Sequence, residues 1–98
     1  MDRTEVLVKA KQCVCGDREQ DYGTPKNNFG IIAGFWSTYL GTNITPVDVA
    51  MMMALLKIAR IKNGPAVGDS YVDLAGYAAC GGEIGTGGQQ YDESVADY

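Results

Sequence analysis

Apolar residues recur at helical spacing along most of the chain, and Gly and Pro cut that pattern into four segments. The first runs from about Thr4 to about Asp21, with Gly16 as a possible break. Its apolar face is ragged: Val6, Val8, Ala10, Cys13 and Val14. Thr4 is the expected N-cap, and Asp17 can restart the helix after Gly16. The second segment begins at Thr24-Pro25, an N-cap followed by proline at the first helical position. Phe29, Ile32, Ala33, Trp36, Tyr39 and Leu40 then form one stripe, which predicts a core or subunit contact, and Gly41 stops the helix.

The third segment has the clearest start in the chain. Thr45-Pro46-Val47-Asp48 joins an N-cap, a helix-start proline and an acid at the third position. Val47, Ala50, Met51, Ala54, Leu55, Ile58 and Ile61 share a face, and Met52, Met53 and Leu56 widen it almost all round. Such a helix is expected to be central and buried. It closes on Lys57, Arg60 and Lys62 before Asn63-Gly64-Pro65. The fourth segment, about Asp69 to about Gly82, is rich in Gly and Ala. Each Gly costs a helix about 1 kcal/mol against Ala, so a helix carrying several predicts close backbone approach to a neighbour. The pattern predicts an all-α bundle of about four helices over residues 1–84 and a flexible tail over 85–98.

Charge sharpens that division. The 98 residues carry a net charge of −4. Residues 1–84 hold all eight bases against nine acids, whereas 85–98 hold Asp92, Glu93 and Asp97 with no base. A nearly neutral body without a Lys/Arg run has no footprint for duplex nucleic acid. The chain has no His, which excludes His-ligated zinc and a Ser-His-Asp triad. The longest apolar run, Val49–Leu56, is too short to span a bilayer, and the charged start does not read as a secretory leader. Three cysteines, two of them only two residues apart, fit free thiols in a reducing cytoplasm.

Three groups of residues can carry chemistry. Asp69 and Asp73 are four apart on one helix face and can share a divalent cation; alternatively Asp69 or Ser70 caps the helix, with Ser70 and Asp73 as a capping box. Lys57 and Arg60 lie on an otherwise apolar helix. They either bind phosphate or pair with Asp69 and Asp73, or they extend to solvent near a helix end. Between the first two helices, Tyr22 can stack on a base, and Lys26 with the amides of the second helix's start can hold an anion. A solvated connection with a helix cap accounts for that segment equally well.

Asp17–Gly23 (DREQDYG), Asn28–Leu40 (NFGIIAGFWSTYL), Ile44–Arg60 (ITPVDVAMMMALLKIAR) and Asp69–Ala79 (DSYVDLAGYAA) together resemble a small bacteriophage and prophage domain family, over roughly Thr4 to Ile84. That family is in turn distantly similar to the all-α MazG-like NTP pyrophosphohydrolases and to phage nucleotide-modification-associated domains. The similarity implies a helical oligomer that hydrolyses nucleoside triphosphates to monophosphate and pyrophosphate with Mg²⁺. It further implies metal ligands among Asp69, Asp73, Glu19 and Asp21, with Asp69 and Asp73 catalytic, and a nucleotide held by Tyr22, Lys26, Asn27, Lys57 and Arg60. The sequence departs from the MazG-like pattern at two places. Its first helix has no Glu-Glu-x-x-Glu, and the Glu of Glu-x-x-Asp falls at Ser70. Three readings follow: a Mg²⁺-dependent pyrophosphohydrolase, a nucleotide binder without turnover that sequesters a signalling nucleotide, and a purely structural helical oligomer.

Overall fold

The computed structural model describes residues 1–17, 23–65 and 68–89. Its order is α1 (Arg3–Gln12), a π-helical turn (Cys13–Asp17), α2 (Pro25–Leu40), α3 (Pro46–Asn63) and α4 (Gly68–Thr86). The fold is all-α, with the four helices packed compactly.

Helix α1 starts earlier than its sequence suggests. Asp2, not Thr4, is the N-cap, because its carboxylate accepts the Glu5 N–H at 2.8 Å. The helix then widens into the π turn at Cys13, so Gly16 lies within a continuing helical path rather than at a break. The expected stretch from Arg18 to Asp21 lies outside the described residues.

The next two helix starts follow the predicted chemistry. Thr24 accepts the Asn27 N–H, Pro25 opens α2, and Gly41 closes it with φ +68°, a left-handed conformation that favours glycine. Ser37 fastens the turn beyond: its hydroxyl accepts the Ile44 N–H at 2.8 Å and donates to the Ile44 carbonyl at 3.2 Å. Thr45 and Asp48 then form a complete capping box. The Thr45 hydroxyl accepts the Asp48 N–H, and the Asp48 carboxylate accepts the Thr45 N–H. Asp48 is therefore occupied as a cap.

Helix α3 is central, lying between α2 and α4, but it is not buried all round. Val49, Ala50 and Ala54 are buried, while Met51, Met52, Leu55, Leu56 and Ile58 reach solvent. The stripe on α2 is likewise buried only in part. Phe29 and Ala33 are in the core and Ile32 and Trp36 pack against it, whereas Tyr39 and Leu40, on a stripe expected to make a core or subunit contact, are exposed in the single chain. Burial of this face stops one turn before the helix does.

Helix α4 meets α3 at close range. A Cβ on Gly81 would lie 3.2 Å from the Ala50 Cβ and 2.8 Å from the end of Met51; one on Gly76 would lie 3.0 Å from Val14. Small residues here serve the close approach that their helix cost implies. Ser70, read as a possible cap, is instead buried inside the helix, which begins at Gly68. The helix also outlasts the expected end at Gly82: Gly85 and Thr86 are helical, and residues 90–98 lie outside the described part.

A branched side chain at Gly81 has to displace Ala50 and Met51. Gly81→Val is expected to lower stability by about 1–3 kcal/mol, seen as an earlier thermal unfolding transition with the helical signal retained at low temperature.

Candidate functional site

A cavity of about 370 Å³ opens where the π turn, the first half of α2, and α4 converge on α3. The π turn contributes Cys13 and Val14. Asn28, Phe29 and Ile32 come from α2, Met53 from α3, and Asp73, Gly76 and Tyr77 from α4. Local rules explain this placement. Asn28 and Phe29 stand one turn inside a helix whose start is set by Thr24-Pro25. Asp73 and Tyr77 are one turn apart on α4 and so share its face. The bare backbone of Gly76 lets Val14 close the wall between them.

The walls are mainly apolar. Phe29 and Tyr77 face each other at a ring-centroid distance of 6.2 Å, tilted by 33°. At the polar end, Lys57 Nζ lies 3.0 Å from Asp73 Oδ2, and the two side chains are 15% and 22% exposed. A charge-assisted bond this short, largely withdrawn from water, holds both groups in place. Asp73 accepts no other hydrogen bond among the described residues. The carboxylate therefore retains acceptor capacity at the cavity wall.

The predicted residues divide accordingly. Asp73 lines the cavity and Lys57 is its partner, which realises the pairing alternative for Lys57. Neither Asp69 nor Asp73 accepts an N–H of its own helix, so the capping reading of these two gives way. Asp69 is exposed in the first turn of α4. Lys26, Asn27 and Arg60 are exposed and do not line the cavity. Tyr22, Glu19 and Asp21 lie outside the described residues. Among the described residues, no three His, Cys, Asp or Glu side chains cluster as metal ligands. The carboxylate available for Mg²⁺ at the cavity is Asp73, and it is held by Lys57; a metal set there needs carboxylates from elsewhere, such as Glu19 and Asp21. Sequence reasoning missed Asn28, Phe29 and Tyr77 as site residues. The available signal was the i, i+4 spacing of Tyr77 from Asp73.

Comparison with known proteins places these elements in a wider group. Residues 5–85 match the family DUF6378, described as a domain of unknown function. The chain is homologous to the Gene 55 protein of Mycobacterium phage D29, 44% identical over 75 residues, covering 76% of this chain and 50% of that protein. It is also homologous to the Gene 55 protein of Mycobacterium phage L5, 47% identical over 74 residues, covering 74% and 47%. The chain thus spans about half the length of the curated relatives it matches. No solved structure matches it significantly. No helix of the described residues is long and apolar enough to cross a membrane.

The ion pair sets a measurable balance. Lys57→Met leaves the Asp73 carboxylate withdrawn from water without its cation, and is expected to cost about 1–3 kcal/mol. Adding Asp73→Leu removes the orphaned charge and should recover part of that loss in urea unfolding.

Proposed function

We propose, from the premise that the chain belongs to the DUF6378 family, that it handles nucleotides and that its cavity receives the base. The observation carrying this reading is a mainly apolar cavity of about 370 Å³ with aromatic rings in its wall and one carboxylate at its polar end. Small-molecule sites are mostly apolar hollows of about 300–1,000 Å³ with a few placed polar groups. A nucleobase has the matching shape: flat apolar faces for Phe29 and Tyr77, and a polar edge for Asp73 and Asn28. Asp73 accepts ring N–H or exocyclic amine protons, and the Asn28 amide both donates and accepts.

Among the described residues, the cavity lining holds no Lys or Arg. Phosphates would therefore point outward, toward Lys57 at the rim and the exposed Lys26 and Arg60. Binding without turnover asks nothing more of these residues. Hydrolysis is the second reading, favoured by the order of a Lys-bearing α3 followed by an α4 carrying Asp69 and Asp73. In that case Asp73, Asp69, Glu19 and Asp21 would hold a Mg²⁺ ion, which would polarise a phosphate and activate a water.

Thermal shift against a panel of nucleoside mono- and triphosphates, with and without Mg²⁺, tests the proposal. A ligand at a hundred times its Kd stabilises the folded state by about 2.7 kcal/mol, which raises the Tm of a domain this size by roughly 10–20 °C. The shift is expected with nucleotides and should fall away in Asp73→Ala and Asn28→Ala. Pyrophosphate release that Asp73→Asn abolishes would move the conclusion from binding to hydrolysis. No shift and no product with any nucleotide would overturn both.

A further inference from the structure

The polar side chains of the cavity wall differ in what they can donate and accept. Asp73, paired with the Lys57 ammonium at 3.0 Å, is a carboxylate: it accepts hydrogen bonds and donates none. Lys57 takes one lone pair of Oδ2. Oδ1 has no partner among the described residues, and Oδ2 keeps a second lone pair. Asn28 lines the same cavity from α2, and its side-chain amide makes no hydrogen bond among the described residues. An acceptor-only group at the polar end of an apolar hollow discriminates between flat heterocycles, because each base carries its own row of donors and acceptors along its edge. The rings of Phe29 and Tyr77 do not make this choice, since every base has a face to stack.

We infer that the base this cavity selects is guanine, an inference that rests on the nucleotide reading above. A carboxylate is matched by two donors side by side, one for each oxygen. Guanine presents such a pair: its ring N–H and its exocyclic amine are neighbours on one edge. Adenine and cytosine present an amine beside a bare ring nitrogen, whose lone pair faces the carboxylate. Uracil and thymine present one ring N–H between two carbonyl oxygens, which meet the carboxylate in the same unfavourable way. Hypoxanthine keeps the ring N–H of guanine and lacks the amine. Each of these alternatives leaves a carboxylate oxygen, partly withdrawn from water, unmatched or opposed by a lone pair, and such penalties are what discriminate against a wrong ligand. Next along the guanine edge stands a carbonyl oxygen, an acceptor, for which the Asn28 amide is the donor in the wall. Asp73 is thus the specificity-determining residue of the site, and Lys57 holds its carboxylate in place through Oδ2.

Titration calorimetry on the wild-type chain tests it, with the 5′-monophosphates of guanosine, inosine, adenosine, cytidine and uridine as ligands. These differ in the base and are not substrates for release of pyrophosphate. The guanosine nucleotide should bind roughly 10- to 100-fold more tightly than each of the others, because hydrogen bonds to a charged group are at stake. The inosine nucleotide isolates the contribution of the amine. Asp73→Asn then exchanges one acceptor of the site for a donor. It should lose most of the affinity for guanosine monophosphate and gain affinity for xanthosine monophosphate, whose ring carries an oxygen where guanine has its amine. A melting temperature measured beside it confirms that the variant is folded. Equal affinity for all bases, a preference for another base, or a guanine preference that survives in Asp73→Asn overturns the inference and leaves the reading of the cavity as a base site intact. No binding of any nucleotide overturns both.

Discussion

The close approach of α4 to α3 is the constraint on which the rest depends. Ala50 and Gly81 bring the two backbones together, and Val49, fully buried, fills the core beside that seam. A wider separation would move Asp73 away from Lys57, since each sits on one of the two helices and their bond is 3.0 Å long. It would also open the floor of the cavity, where Met53 of α3 meets the α4 residues. The small side chains thus place the polar groups. Their own contribution to burial is modest, and much of the apolar surface of α3 remains outside.

The π turn plays the corresponding role at the other wall. It continues α1 while changing the helical phase, and it sets Cys13 and Val14 against the cavity. Val14 fits there because Gly76 has no side chain to oppose it. A helix irregularity and a glycine therefore meet at this wall of the cavity. Both are local departures from the most stable helix, and such departures tend to coincide with sites of function.

Features written in short-range chemistry were legible in the sequence. Thr45-Pro46-Val47-Asp48 and Thr24-Pro25 specify helix starts through groups three residues apart, and Gly41 specifies a stop. Features set by the crossing of helices were not. Tyr39 and Leu40 have the spacing of core residues, yet no element among the described residues covers that last turn of α2. Ser70 and Asp73 have the spacing of a capping box, but the helix begins two residues earlier than that reading needs. At α1, Asp2 and Thr4 offer the same capping chemistry, and pattern alone does not choose between them. Lys57 had two possible fates, pairing or solvent. The distance between α3 and α4 decides that, and no count along the chain contains it.

The α3–α4 seam has one more consequence, for how the chain reaches its native state. Asn63 and Gly68 are joined by only four residues. Bringing the two helices together closes a short loop, for which the entropic toll is small. The Thr45 capping box lies on one member of this pair, so α3 carries its own nucleation device. A helical hairpin formed from neighbouring segments is the kind of contact that assembles on the fast side of the folding timescale. The geometry that every other contact awaits is then also the one the chain can build first.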